Sequence, residues 1–528
     1  MSNTKEQKNK LQQFVKEHQK YFDISKIVLA FLFPVFICIF QCLRLNASLG
    51  DIYLADSQVN DDLFYFKQVE SVLTHGIPQG YFGYNESHAL LLSFGAWTLP
   101  MLLIWIVWGC IFGWTISSFY WCNLCFAAVA LALFVYWAKP QWKQMALMFI
   151  PVALFPDCGK YLLSCMAETH LTSYLILFYG LAFHYKRTSK NGSIVAMFLI
   201  SIFLTLQRPY FLLLTLLPGA FLFAKAKLKS IIFTLLSGIA GIAGYFVIAH
   251  YFTAAYFTPL FHSHIFERFY KESIYAGTRY VVYKFLDALE LLFYYMKMSF
   301  VRGEFIGSNY CILLLLCVCC AAMIVYYLKK KEKNEALIYI HYLLTALCIF
   351  GAILLIYQKP KEGSRHIVAI IIVGMLLVSF IKHKIQLIQP LLLCSLIVYL
   401  FYCFPDDGVD YQIPVQTEER YAEQLAWEEI MQSLELTPNG PSYDNTVIWT
   451  LSDVVDDVYT YPDWQMLFAL PPGFGISCCD YEYCFLNIGN LKCRYIMTDS
   501  NGVLSSRCYS AGYKPVGEYN GNILFQCY

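Results

Sequence analysis

Thr98-Leu-Pro-Met-Leu-Leu-Ile-Trp-Ile-Val-Trp-Gly-Cys-Ile-Phe-Gly-Trp114 is the stretch on which the organisation of this chain turns. It is apolar throughout, and it either crosses a membrane or lies in the interface. A spanning helix needs about 20 apolar residues, within a range of about 17–25. Runs of that kind occur near 27–44, 117–137, 144–163, 169–185, 193–207, 210–224, 230–250, 309–328, 335–356, 366–381 and 388–404. Loops on the cytoplasmic side of a membrane are enriched in Lys and Arg. With 98–114 placed in the interface, every basic cluster falls on one side. These are the N-terminal tail with six lysines, Lys139/Lys143, Lys186/Arg187/Lys190, Lys225/Lys227/Lys229, Lys329/Lys330/Lys331/Lys333 and Lys382/Lys384. The opposite short loops hold little more than Arg208, Lys359, Lys361 and Arg365. Counted as a span, 98–114 would put every later basic cluster outside.

The expected fold class is therefore mostly α: a polytopic helical membrane protein with about eleven transmembrane helices plus an interfacial helix. Residues 1–26 form a cytoplasmic tail, and 27–404 a transmembrane domain with large outer loops 45–116 and 251–308. Residues 405–528 form a small α+β extracytoplasmic domain, with a helix expected over 418–436 and strands over 446–451 and 495–498. Bulk composition agrees. Of 528 residues 58% are apolar and 14% charged, against roughly 25% charged in soluble domains. A net charge of +1 excludes nucleic acid as an expected partner. The first apolar run begins too late for a cleavable signal peptide and lacks a small-residue cleavage site.

Twenty cysteines are scattered without the paired spacing of a zinc site. Fourteen lie in or beside apolar runs and read as small buried hydrophobes. The other six, Cys478, Cys479, Cys484, Cys493, Cys508 and Cys527, crowd the tail. Their pairing as disulfides and their persistence as thiols are both open on the sequence.

Functional residues in such a chain are polar groups that a membrane-side position makes costly. The first outer loop carries Asn60-Asp61-Asp62-Leu63-Phe64-Tyr65. Two adjacent carboxylates repel, so one is readily kept as a base or held by a cation; the alternative is a helix cap at Asn60 or Asp61. The same loop continues with Tyr84-Asn85-Glu86-Ser87-His88. Pro156-Asp157-Cys158-Gly159-Lys160 ends the third span, where Asp157 and Lys160 can pair on one helix face. Glu168 lies in the short outer turn that follows. Gln207-Arg208-Pro209-Tyr210 and Lys361-Glu362-Gly363-Ser364-Arg365-His366 are further outer turns. Their arginines can grip a phosphate or snorkel to headgroups. His262 and His264 form an isolated HxH, which reads as surface in the absence of a third ligand.

This order of features resembles the GT-C superfamily of membrane glycosyltransferases, near the branch of protein mannosyltransferases and lipid A aminoarabinose transferases. The resemblance rests on Asp61-Asp62 with Tyr65, on the run into an apolar helix at Pro100–Gly113, on Pro156 and Glu168, and on Ser364-Arg365-His366. It covers roughly 27–404. His366 stands where the family more often has tyrosine, and nothing identifies the sugar. The resemblance implies a polyprenyl-phosphate-linked sugar donor, a lipid, glycan or protein acceptor, and inverting transfer on the outer face. It implies Asp61 or Asp62 as general base, Glu168 orienting the acceptor or sugar, Arg208 and Arg365 on the departing phosphate, and Tyr65, His88 and His366 around the substrate. No cofactor is expected, although some branches bind a divalent metal beside such an acidic pair. Two other readings compete: a polysaccharide polymerase or ligase acting on lipid-linked glycans, which usually carries its arginines in a late loop, and a transporter, which predicts repeats not found here. The topology is checked by a C-terminal tag, which a membrane-impermeant probe is expected to reach in intact cells.

Overall fold

The structure is a computed structural model that describes residues 19–52, 61–76, 83–86, 99–252, 264–357, 360–380, 387–404, 417–437, 442–450 and 468–528. A long first helix, α1 (Gln19–Leu45), is followed by the first-loop elements α2 (Asp61–His75), β1 (Gly83–Tyr84) and α3 (Leu99–Phe112). Next come α4 (Ser118–Ala138), α5 (Trp142–Leu154), α6 (Pro156–Leu162), α7 (Glu168–Thr188) and α8 (Asn191–Gln207). A 3-10 turn (Pro209–Thr215) leads into α9 (Leu216–Phe223) and α10 (Lys227–Phe252). The second large loop holds α11 (His264–Lys271) and α12 (Ile274–Arg302) before α13 (Phe305–Lys329) and α14 (Lys333–Ala352). A short α15 (Pro360–Gly363) and a 3-10 turn (Ser364–Ile367) precede α16 (Val368–Val378) and α17 (Ile388–Tyr402).

The chain is a polytopic membrane protein. On α10 the side chains of Leu235 and Ile239 remain 59% and 62% exposed in the folded chain, an apolar surface that water disfavours and lipid accepts. Among the described residues five helices (α1, α4, α10, α13, α14) can cross a bilayer by length and composition, and six if the bent α5–α6 pair is one span. The expected count of about eleven is not reached on this measure. α3, α8, α16 with its turn, α17 and the 209–223 stretch are shorter apolar helices, and α7 carries charge at both ends. Every residue of α16 is buried, so neighbouring helices rather than lipid enclose it, and its length is free of the bilayer's demand. At 14 residues, α3 is about 21 Å long, below the roughly 30 Å of the hydrocarbon core. The expected single span 144–163 is two helices meeting at 73°. Pro156 opens α6, and Phe155 before it is extended, as a residue preceding proline must be.

The C-terminal part contains α18 (Glu418–Met431), β2 (Thr446–Thr450), β3 (Gly475–Cys479), α19 (Tyr481–Asn487), β4 (Tyr495–Asp499), α20 (Val503–Ser510), β5 (Lys514–Tyr519) and β6 (Asn522–Gln526). The helix expected over 418–436 stops at Met431. Its chain then turns, and Thr437 is held by both ends of the Asn445 amide ahead of Pro438. The sheet order is β1-β3-β2-β4-β6-β5, with the first four strands parallel and β6 and β5 antiparallel. Side chains alternate along each strand. Val447, Trp449, Tyr495 and Met497 pack on one face with Trp427 and Met431 of α18. Ile448, Ile496, Ile523 and Phe525 pack on the other with Cys484 of α19 and Leu504 and Cys508 of α20. Helices thus cover both faces, as parallel strands require, so the unit is nearer to a three-layer α/β arrangement than to the expected α+β.

The edge strand of that sheet, β1, comes from the first large loop, and Leu63 and Phe64 of α2 belong to the same core as Trp427. Sequence gave no sign of this union of residues about 400 apart. The six tail cysteines are free thiols, five of them buried. Burial pushes Cys478 and Cys508 up to about 12, which suppresses the thiolate that reacts. In the native protein at pH 7.5, a maleimide is expected to leave both unlabelled, with labelling appearing in the mass spectrum only after unfolding.

Candidate functional site

Helix direction alone sorts the candidate residues. α7 starts at Glu168 and ends at Lys186/Arg187; its 21 residues extend about 30 Å. At the basic end Lys186 pairs with Glu335 in the first turn of α14, and Arg187 donates to the Trp137 carbonyl. α8 runs back from Asn191 to Gln207, delivering Arg208 to the level of Glu168. α14 likewise leaves the basic end at Lys333 and leads through Gly363 to Arg365 and His366. Glu168, Arg208, Arg365 and His366 therefore gather at the end remote from the basic clusters.

Pro209 does the local work at Arg208. It holds the preceding residue extended, at φ −143° and ψ 113°, which ends α8 and turns the guanidinium inward. Arg208 Nη2 donates to Glu168 Oε1 at 2.7 Å, with side chains only 3% and 1% exposed. Arg208 Nη1 donates to the Tyr210 hydroxyl at 3.0 Å, and that hydroxyl lies 3.1 Å from His366 Nδ1. The Tyr210 hydroxyl thus joins the guanidinium to the imidazole, with the direction of the second bond set by the His366 tautomer. Glu168 Oε2 is buried and has no hydrogen-bond partner among the described residues. A buried acceptor in that state costs about 1–3 kcal/mol.

The acidic groups assemble around Tyr161 on α6. Asp157, Glu168, Arg365 and Asp62 all act electrostatically on its hydroxyl, and Arg208, Glu168 and Arg365 on that of Tyr210. Asp62 is buried on α2, and Asp157 accepts from Asn309 Nδ2 at 2.7 Å. Asp157 with Tyr161, Thr169, Thr172 and Ser173 lines an otherwise apolar pocket between α1, α4, α7 and α16. Gly363 packs against Ile353 so closely that no Cβ fits between them, which seats the Ser364–His366 turn.

The structure thus links Glu168, Arg208 and His366 of the residues singled out in the sequence through hydrogen bonds, with Asp62 and Arg365 within electrostatic reach of the same tyrosines. Tyr65 is buried beside Trp105, ring centroids 6.2 Å apart, and joins the core through it. The Asp61 side chain and His88 lie outside the described residues, as do His262 and any contact of the HxH pair. Among the described residues no three His, Cys, Asp or Glu side chains are grouped to hold a metal. Sequence reasoning missed Tyr161, Tyr210 and Asn309 as members of the cluster. Tyr210 had a local signal in its place after Arg208-Pro209; Asn309 is a single polar residue in an apolar span and had none.

Removing one partner of a buried ion pair leaves an uncompensated charge, at about 3–5 kcal/mol. R208M and E168Q are each expected to lower the melting temperature in detergent. The double variant is expected to recover a substantial part of the combined loss, since the two effects are coupled; additive losses would contradict the pairing.

No protein-family model and no curated protein matches this sequence. Among solved structures the fold is similar to that of the Archaeoglobus fulgidus oligosaccharyltransferase in its apo form, with 11% identity and a TM-score of 0.49 over 93% of this chain and 71% of that one. It is also similar to the oligosaccharyltransferase AglB from Archaeoglobus fulgidus in complex with an inhibitory peptide and a dolichol-phosphate, at 11% identity and 0.48 over 94% and 71%. The third is ArnT from Cupriavidus metallidurans bound to undecaprenyl phosphate, at 9% identity and 0.41 over 97% and 98%.

Proposed function

We propose that this chain is an integral membrane glycosyltransferase that moves a sugar from a polyprenyl-phosphate-linked donor to a hydroxyl or amine acceptor on the outer face. The observation that carries the reading is the buried Glu168–Arg208–Tyr210–His366 relay, with Arg365 and the first-loop Asp62 gathered about Tyr161 beside it. Charges held at this depth are expensive and mark function more often than stability.

The acceptor hydroxyl gives its proton to the carboxylate of Asp62 or its neighbour Asp61. Its oxygen attacks the anomeric carbon from the face opposite the phosphate. The bond from that carbon to the phosphate oxygen breaks, inverting the centre and leaving the polyprenyl phosphate with an added negative charge. Arg365 and Arg208 meet that charge as it grows, the arrangement through which preorganised donors lower a barrier. Arg208 is held for this by Glu168 and Tyr210. Glu168 Oε2, without a hydrogen-bond partner among the described residues, is the acceptor available to a sugar or acceptor hydroxyl. In this reading the site faces outward and the basic loops face the cytoplasm.

General-base assistance contributes about 10²–10⁴-fold. In proteoliposomes supplied with a polyprenyl-phosphate-linked sugar, D61N and D62N are made singly and together. The double variant is expected to lose about that factor in kcat; transfer at the wild-type rate would overturn the assignment.

A further inference from the structure

The first outer loop is bound to the C-terminal sheet at two places, and neither is explained by the chemistry above. On α2, five residues after Asp62, Lys67 is 2% exposed and its ammonium donates to the Leu470 carbonyl at 2.6 Å and to Glu70 at 2.6 Å. His75 at the end of the same helix meets the Pro472 carbonyl at 2.9 Å. Further on, the loop enters the sheet as β1 and turns through Asn85 and Glu86, both at positive φ. Glu86, 2% exposed, is the centre of the second attachment. Its Oε1 accepts from the backbone N–H groups of Lys492 and Cys493 at 2.6 and 2.7 Å, and its Oε2 from the Tyr483 hydroxyl at 2.8 Å. Its own N–H donates to Ser477 Oγ at 3.0 Å. Asn85 accepts from the Asp480 N–H at 3.0 Å and donates to the Asp480 carboxylate at 3.3 Å.

We infer that Lys67 and Glu86 are positioning residues, which clasp α2 and the β1 turn of the same loop to residues 470–493 and so set where Asp62 stands against the groups around Tyr161. A buried carboxylate that takes three donors from another part of the chain anchors that junction through charge-assisted hydrogen bonds. A general base needs such placement, since a displacement of about 1 Å can cost about 10²-fold in rate. The C-terminal sheet is then part of the catalytic frame, although none of the residues given a role in transfer belongs to it. The inference rests on the reading of Asp62 as the base.

The test uses the full-length protein in proteoliposomes with K67M, E86A and the conservative E86Q. Two quantities are measured: backbone amide exchange over 61–75, and the solvent deuterium isotope effect on kcat per folded molecule. Both clasp-breaking variants are expected to speed exchange over 61–75, lower kcat about 10- to 100-fold and raise the isotope effect, because proton transfer to a displaced base becomes slower. E86Q, which keeps the Oε1 acceptor, is expected to restore both. Unchanged exchange overturns the clasp. Faster exchange with the isotope effect at its wild-type value overturns the positioning role and leaves a structural one. D62N run in parallel separates this from the function itself: a fully active D62N fails the base assignment, while amide exchange still reads the clasp.

Discussion

The Glu168–Arg208 ion pair is the constraint around which the membrane part is organised. A guanidinium stays protonated at any accessible pH, so a buried arginine must be matched where it lies. Glu168 opens α7 and Arg208 closes α8, and their 2.7 Å contact fixes the level at which these two helices end. Pro209 makes the contact compulsory by stopping α8 and holding Arg208 extended. Tyr210 and His366 then extend the network across to the turn after α14. That one pair therefore sets the relative height of three helix ends and, with them, the floor of the candidate site.

A second constraint comes from the opposite end of the sequence. The loop that carries Asp62 does not fold back on the helices alone. α2 has one face against the membrane core through Tyr65, Phe66 and Val69, and another in the core of the C-terminal sheet through Leu63 and Phe64. Gly109 of α3 lets Leu73 of α2 approach without a side chain between them. Five residues within two turns of α2 thus serve two cores. The parallel strands of the sheet need cover on both faces; α19 and α20 cover one, and α2 shares the other with α18.

Much of this was legible in the sequence because it depends on local composition. Apolar runs and the polar turns between them at Glu168, Arg208 and Arg365 follow from the cost of placing polar groups in lipid, which is felt residue by residue. The acidic pair at Asp61-Asp62 was visible for the same reason. The number of crossings was less so. Pro156 splits one run into two helices at 73°, and α16 is enclosed by its neighbours, so apolar length no longer measures bilayer thickness.

What the sequence determined by itself is therefore the class of the molecule, its helical body, and which polar residues stand near the ends of helices. Only the tertiary structure decided which of them meet. Asn309 reaches Asp157 across about 150 residues, and Glu86 reaches the backbone of Lys492 and Cys493 across about 400. Such pairings leave no periodicity or motif, since hydrogen bonding is satisfied by whichever group the fold brings near. The physical reason is one of range: burial and backbone propensity act along the chain, whereas a site is made of contacts between distant parts of it.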